Sequence, residues 1–372
     1  MRNLMGLGKW AFAGLLAASL VACGGSETAE ETTKVEQKVE AKPIEWKMVT
    51  TWPKNFPGLG TGAEALAKNI TAMSDGRLTV KVYAAGELVP PLEVFDAVSR
   101  GTAEMGHSTA YYWKGKAPAV QFFSSVPFGM TAQEFNAWLE YGDGLTLWEE
   151  VYAPFNIIPM AAGNSGAQMG GWFNKEINSV DDFKGLKMRM PGLGGEVMKK
   201  VGAVMVNLPG SEIFTALQTG TIDATEWVGP YNDLAFGLYK AAKYYYYPGW
   251  QEPGSAIEAL VNKDAYNALP ADLQNIVRAA AQQANLGMLN EFTARNNAAL
   301  ETLVNDHNVI LKKFPKDLLE ALKVASDETL KDVAANDPMS QKVYDSFKSF
   351  LNSVTAWHDI SERAFINARA ND

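Results

Sequence analysis

The period of hydrophobic and polar positions changes along the chain, and the changes mark out its elements. "WKMVTTW" (46–52) reads as a first strand, and "GTGAEALAKNITAMSDG" as the helix after it, closed by Gly76. "RLTVKVYAAGEL" alternates as a second strand should. Strand and helix continue in turn, which predicts an α/β fold with mainly parallel sheets. The last third is helical throughout, in "LPADLQNIVRAAAQQANLGMLNEFTARNNAALETLVNDH", "PKDLLEALKVASDETLKDVAAN" and "SQKVYDSFKSFLNSVTAWHDISERAFINAR". Its final helix, predicted over 340–370, carries an apolar stripe of Val343, Phe347, Phe350, Leu351 and Val354. Such a helix either braces two lobes, makes a dimer contact or packs on its own lobe.

One segment occurs twice. Glu93 to Glu104 and Glu212 to Asp223 share the form E-x-F-x-A-[VL]-x-x-G-T-x-[ED], and each follows a strand-like run through a Pro-containing turn. The repeat predicts two similar α/β lobes with a cleft at the C-terminal ends of their strands. Helix N-termini at "PPLE" and "PGSE" would turn free N–H groups toward an anion there. The repeat also aligns His107-Ser108 with Glu226-Trp227 and predicts cleft-facing strand ends for both pairs.

The N-terminus reads as a processing signal. Arg2 and Lys9 precede "WAFAGLLAASLVA", an apolar run too short to span a bilayer, and "LVAC" follows the pattern of a lipobox. Cys23 is the one cysteine of the 372-residue chain and would carry the lipid anchor. Residues 1–22 are then a signal peptide, and 23–43, without aromatics, a flexible tether with the fold beginning near Ile44. This places the protein on the periplasmic side of the envelope.

Charge narrows the partners. The formal charge is -9, and removal of Arg2 and Lys9 leaves 31 basic against 42 acidic side chains. Nucleic acid is excluded by that balance and by the absence of any basic run. Three His, with no HExxH, CxxC or GxSxG, leave little for transition-metal or nucleophilic catalysis. "GLGTGA" (58–63) fits a dinucleotide pattern but is separated from its strand by "PKNFP", and no organic cofactor is expected.

Arg189 in "GLKMRMPG" falls in a predicted buried strand, where a guanidinium requires a partner. That partner is either a ligand carboxylate gripped by the planar fork or an internal salt bridge. Gln168, Glu226 and Glu252 would together offer hard oxygen ligands, suited to Na⁺ or Ca²⁺ and poor for zinc. Glu226, Glu252 and Arg189 sum to -1, and a monocarboxylate brings this to -2, so a shared cleft needs a cation or a proton.

"AAGELVP", "VPFGM", "QMGGWFNKEI", "GLKMRMPG", "GTIDATEWVGPYND" and "YYYYPGW" together resemble the substrate-binding subunits of TRAP transporters, the DctP-like family. The likeness is greatest to those that bind 2-oxo or 2-hydroxy monocarboxylates with a metal cation. The resemblance implies a periplasmic-binding-protein type II fold, with 44–160 and 251–290 in lobe I and 161–250 and 291–335 in lobe II. It implies Arg189 on the substrate carboxylate and Gln168 on both substrate and cation. Glu226, the Trp227 carbonyl and Glu252 would complete the cation shell, and Pro91 and Leu92 would supply backbone contacts. It also implies small and large TRAP membrane subunits as partners, and homodimers through the long C-terminal helix. The function implied is a receptor, not an enzyme, for an acid such as pyruvate or lactate. The alternative is an envelope hydrolase or lyase with Glu226 as general base.

Overall fold

The computed structural model describes residues 42–370. The expected signal peptide, Cys23 and nearly all of the tether lie outside the described residues. The chain enters as β1 (Ile44–Thr50), α1 (Leu59–Met73), β2 (Leu78–Tyr83), α2 (Val94–Ser99) and β3 (Met105–Ser108). After α3 (Ala132–Tyr141) and α4 (Gly144–Tyr152) comes β4 (Ile157–Asn164). Then follow β5 (Gly171–Phe173), β6 (Lys187–Arg189), α5 (Gly192–Lys200), β7 (Val204–Val206), α6 (Gly210–Gln218), β8 (Ala224–Thr225), α7 (Pro230–Phe236) and β9 (Tyr244–Tyr247). The remainder is β10 (Ala256–Asn262), α8 (Lys263–Asn267), α9 (Ala271–Asn305), β11 (Ile310–Lys313), α10 (Lys316–Ala334), α11 (Pro338–Ile360) and α12 (Glu362–Ala370).

Two sheets result, ordered β2-β1-β3-β10-β4 and β11-β9-β5-β8-β6-β7. Burial follows local pattern: α1 hides Leu59, Ala63, Leu66, Ala67 and Ile70, one face at helical spacing. β9 buries Tyr245 and Tyr246 of its four tyrosines. Parallel pairings are the majority, five of nine, but both sheets are mixed. β10 runs antiparallel to β3 and β4, and β5 antiparallel to β8 and β9. The cause is connectivity: strands that re-enter a sheet from the other lobe are not bound by the parallel crossover rule.

The chain passes from the first sheet to the second between β4 and β5 and returns between β9 and β10. The two passing segments are tied together: Ser165 N donates to Ser255 O at 3.0 Å, and Gln168 N to Glu252 O at 3.0 Å. α9, 35 residues long, runs unbroken through position 290, where the sequence reading divided the lobes. It packs on β4 and α1 and also on α7. The expected single helix over 340–370 is two, α11 and α12, with Ser361 between them. Val343 and Phe347 are buried on α3, α4 and α10, while Trp357, Ile360 and Phe365 are exposed.

Candidate functional site

β6 buries Met188 and Arg189 and exposes Lys187. Because β6 lies between β7 and β8, Arg189 is held in register with Val206 and Thr225. Glu226 N then donates to Arg189 O at 3.2 Å, which brings the Glu226 side chain to the guanidinium. Arg189 Nη1 donates to Glu226 Oε1 and, at 3.1 Å, to Glu226 O. Its Nη2 donates to the Tyr112 hydroxyl at 3.1 Å, and its Nε to Leu208 O at 3.4 Å. The guanidinium carbon also sits 5.3 Å from the centre of the Trp227 ring, a cation–π distance. Of the two partners foreseen for Arg189, the internal salt bridge is present.

Gln168 and Glu252 lie on the two passing segments, so the hinge itself carries them. Gly249 makes the approach possible, since a Cβ there would meet Gln168 O at 2.2 Å. Gln168 Nε2 donates to Ser165 Oγ at 2.9 Å. Trp227 rests on the N-terminus of α6, where a Cβ on Gly210 would lie 2.5 Å from its ring. That is the "PGSE" helix start expected to face the cleft.

Gln168 Oε1, Glu226 Oε2 and Glu252 Oε2 are among the buried oxygens of the described residues that have no hydrogen-bond partner. Buried oxygens of this kind normally find a partner, and oxygen atoms such as these suit a hard cation. The donor set is all oxygen and holds only two carboxylates. Consistently, no group of three or more His, Cys, Asp or Glu suited to a metal occurs among the described residues. The residues fit a weakly held hard cation such as Na⁺ or Ca²⁺, not a transition metal.

Electrostatics point the same way. Burial pushes Glu226 well above the ordinary carboxylate range; Arg189 pulls against this, while Glu252 and Asp233 add to it. Burial raises Glu252 to about 7 against the pull of Ser255 and Arg189. Burial opposes the charge on Arg189, but Tyr112, Glu226, Tyr111 and Glu252 around it raise its pKa overall. Asp233, 1% exposed and raised by burial to about 6, brings a third carboxylate to the region. With all four groups charged the site stands at -2, one negative charge beyond the sequence count.

A small enclosed cavity is lined by Gln168, Trp227 and Val228 together with Trp52, Leu59, Tyr111, Tyr112, Ser165, Ser255 and Ile257. Tyr111 and Tyr112 also line an outer recess of about 420 Å³, whose rim includes Lys114, Glu196 and Lys199. Lys114 Nζ meets Glu196 Oε1 at 2.6 Å across that rim. Tyr112, Asp233, Ser165 and Trp52 were not singled out from sequence. "AYYW" was legible as an aromatic cluster, and Asp233 lay inside "GTIDATEWVGPYND", but neither carried a signal of direction.

One expectation is corrected. His107 does not face the cleft: it is fully buried, accepts from Trp52 Nε1 at 2.8 Å, and burial lowers it to about 4. β3 is paired on both sides, so its end stays inside the first sheet, whereas β8 stops after two residues and frees Glu226 and Trp227. Pro91 and Leu92, expected to supply backbone contacts, form a half-buried turn before α2. The six residues of α2 begin beyond them.

Two mixed α/β sheets joined by paired hinge segments, with an arginine and unpartnered oxygens between them, define a receptor for a small anionic solute. Residues 48–337 match the model of the DctP family, bacterial extracellular solute-binding protein family 7, and the chain belongs to that family. It is 47% identical over 324 residues to the monocarboxylate 2-oxoacid-binding periplasmic protein of Nostoc sp., covering 87% of this chain and 88% of that one. A TRAP periplasmic solute-binding protein from Pseudoalteromonas atlantica, solved with sodium and pyruvate, superposes with a TM-score of 0.85. The two are 44% identical, over 88% of this chain and 99% of the other. A Colwellia psychrerythraea counterpart with bound calcium and pyruvate gives a TM-score of 0.85 at 45% identity, over 88% and 100% of the two chains. The protein is therefore a solute-binding protein and not an enzyme. Membership overturns the alternative of a hydrolase or lyase with Glu226 as general base.

Proposed function

We propose that the chain is the lipid-anchored extracytoplasmic receptor of a TRAP transporter. It binds a small 2-oxo or 2-hydroxy monocarboxylate, such as pyruvate or lactate, together with Na⁺ or Ca²⁺. The observation that carries this reading is the set of unpartnered oxygens on Gln168, Glu226 and Glu252 around the buried Arg189.

Arg189 neutralises the substrate carboxylate, and its fork geometry suits two carboxylate oxygens. Tyr112 holds one arm of that fork, and the Glu226 carbonyl holds the other. Gln168, Glu226, Glu252 and the Trp227 carbonyl hold the cation. A bound cation supplies the positive charge that lets a carboxylate ligand enter a site already rich in carboxylates. Trp52, Leu59 and Ile257 give the substrate's alkyl end an apolar wall. Gln168 and Glu252 sit on the hinge, so ligand binding is coupled to the relation between the two sheets, to the extent that open and closed forms differ in affinity.

Cys23 anchors the chain to the membrane, and the closed receptor delivers its acid to the small and large TRAP membrane subunits. The exposed Trp357, Ile360 and Phe365 of the last two helices make the contact of a homodimer. Calorimetric titration of chelator-treated protein with pyruvate, lactate and longer 2-oxo acids, with Na⁺ or Ca²⁺ restored separately, tests the function. Cation-dependent binding of a short acid is the expected result. Binding that ignores the cation would remove the metal from the reading.

A further inference from the structure

Asp233 is a buried anion with no basic partner within salt-bridge distance among the described residues. It is 1% exposed, yet no lysine, arginine or histidine pairs with it. Its partners are neutral donors drawn from three places. Oδ2 accepts from Trp172 Nε1 on β5 at 2.9 Å and from the Tyr245 hydroxyl on β9 at 2.6 Å. Oδ1 accepts from Val228 N at 3.3 Å, and the Asp233 amide donates to Gly229 O at 2.9 Å. The two aromatic rings stack with centres 4.0 Å apart, so their polar edges are fixed relative to each other. An indole N–H can only donate, and a cradle built of donors suits the ionised carboxylate.

A hidden anion without a counter-charge is costly even when donors surround it, so where its charge falls matters. What lies nearby is the Glu226–Val228 segment. Asp233 ties that segment down just past the Trp227 carbonyl and adds negative charge behind Glu226.

We propose that Asp233 is the positioning residue of the cation half of the site: it fixes the Trp227–Gly229 backbone and lends the buried negative charge that draws Na⁺ or Ca²⁺ to Glu226. This rests on the cation-dependent acid binding proposed above. Asp233 itself does not touch the cation or the acid; it acts through Trp227, Val228 and the field at Glu226. A carboxylate whose role was only to knit β5, β8 and β9 together would affect melting but not the cation.

The test compares full-length wild type with Asp233→Asn and Tyr245→Phe. Each is titrated with NaCl or CaCl2 at fixed pyruvate, and separately with pyruvate at saturating cation. The expected result for Asp233→Asn is a cation affinity about tenfold weaker, with pyruvate affinity at saturating cation within about twofold of wild type. Tyr245→Phe keeps the charge and loosens the cradle, and should weaken the cation about threefold. Asp233→Asn with a lower melting temperature but an unchanged cation affinity overturns the proposal. Where that variant does not fold, Tyr245→Phe decides: unchanged cation affinity overturns the proposal. A wild-type protein that binds pyruvate without any cation requirement sinks the underlying site instead.

Discussion

Glu258 and Glu226 are the same residue type, both with no exposed surface, in the two halves of one molecule. Glu258 stands mid-strand in β10, between β3 and β4, and each of its oxygens has a donor. Trp113 Nε1 reaches Oε1 at 2.6 Å, and the Tyr152 hydroxyl reaches Oε2 at 2.8 Å. Glu226 stands just past the end of β8, with Oε1 on Arg189 and Oε2 on nothing. Burial alone therefore does not mark a functional carboxylate. The mark is an oxygen left without a donor at a strand end, where a paired strand would have closed the gap. Glu258 is a hydrogen-bond hub of the core, and Glu226 belongs to the proposed site.

The sharpest way to break that contrast is Arg189→Ala. It removes the proposed carboxylate grip and leaves Glu226 buried and unpaired, so acid affinity should fall at least about 100-fold. Undiminished calorimetric binding in that variant would end the assignment of Arg189. Next in size, Glu226→Gln and Glu252→Gln should each weaken the cation about tenfold or more. Glu258→Gln should leave it within about twofold of wild type. A matching loss in all three would show that the two kinds of buried carboxylate do not differ in role.

The third effect is on stability. Burial raises Glu258 to about 7 from 4.5, so the folded state holds a proton that the unfolded state gives up earlier. Stability from this group is complete below about pH 4.5 and is lost as pH rises toward 7, by about 3 kcal/mol in all. Denaturant titrations across that window should show the slope, and Glu258→Gln should flatten its share. A slope unchanged by the substitution would mean Glu258 is ionised in the fold throughout. The smallest expected effect is Trp113→Phe, which strips one donor from Glu258. It should destabilise the protein by about 1–3 kcal/mol and leave acid and cation affinities untouched, as read by melting and calorimetry.

Much of the fold was legible because its signals are local. The helix over α1, the strand at β1 starting at Ile44 and the apolar stripe of α11 all follow from side-chain period within one element. The duplicated segment pointed to two sheets because each copy builds a strand, a turn and a helix by the same local rules. It failed at His107 because the neighbours of a strand end are supplied by distant chain. β10, about 150 residues later, pairs through Ser108 at the end of β3, whereas the strand pairings of β8 stop at Thr225. The antiparallel pairings were not legible for the same reason, since β5 and β10 take their direction from where the chain re-enters.

The site divides along the same line. The sequence by itself determined which residue types could serve: an arginine in an apolar strand, carboxylates beside Trp-Gly-Pro turns, and a charge balance that calls for a cation. Those follow from the cost of burying charge, which holds wherever the chain puts it. Only the tertiary structure decided that Arg189 grips Glu226 and Tyr112, that Gln168 and Glu252 meet on paired hinge segments, and that Asp233 stands behind them. The contacts behind these relations join residues 37 to 84 positions apart. They depend on strand register and hinge pairing, and no local pattern in the chain encodes either.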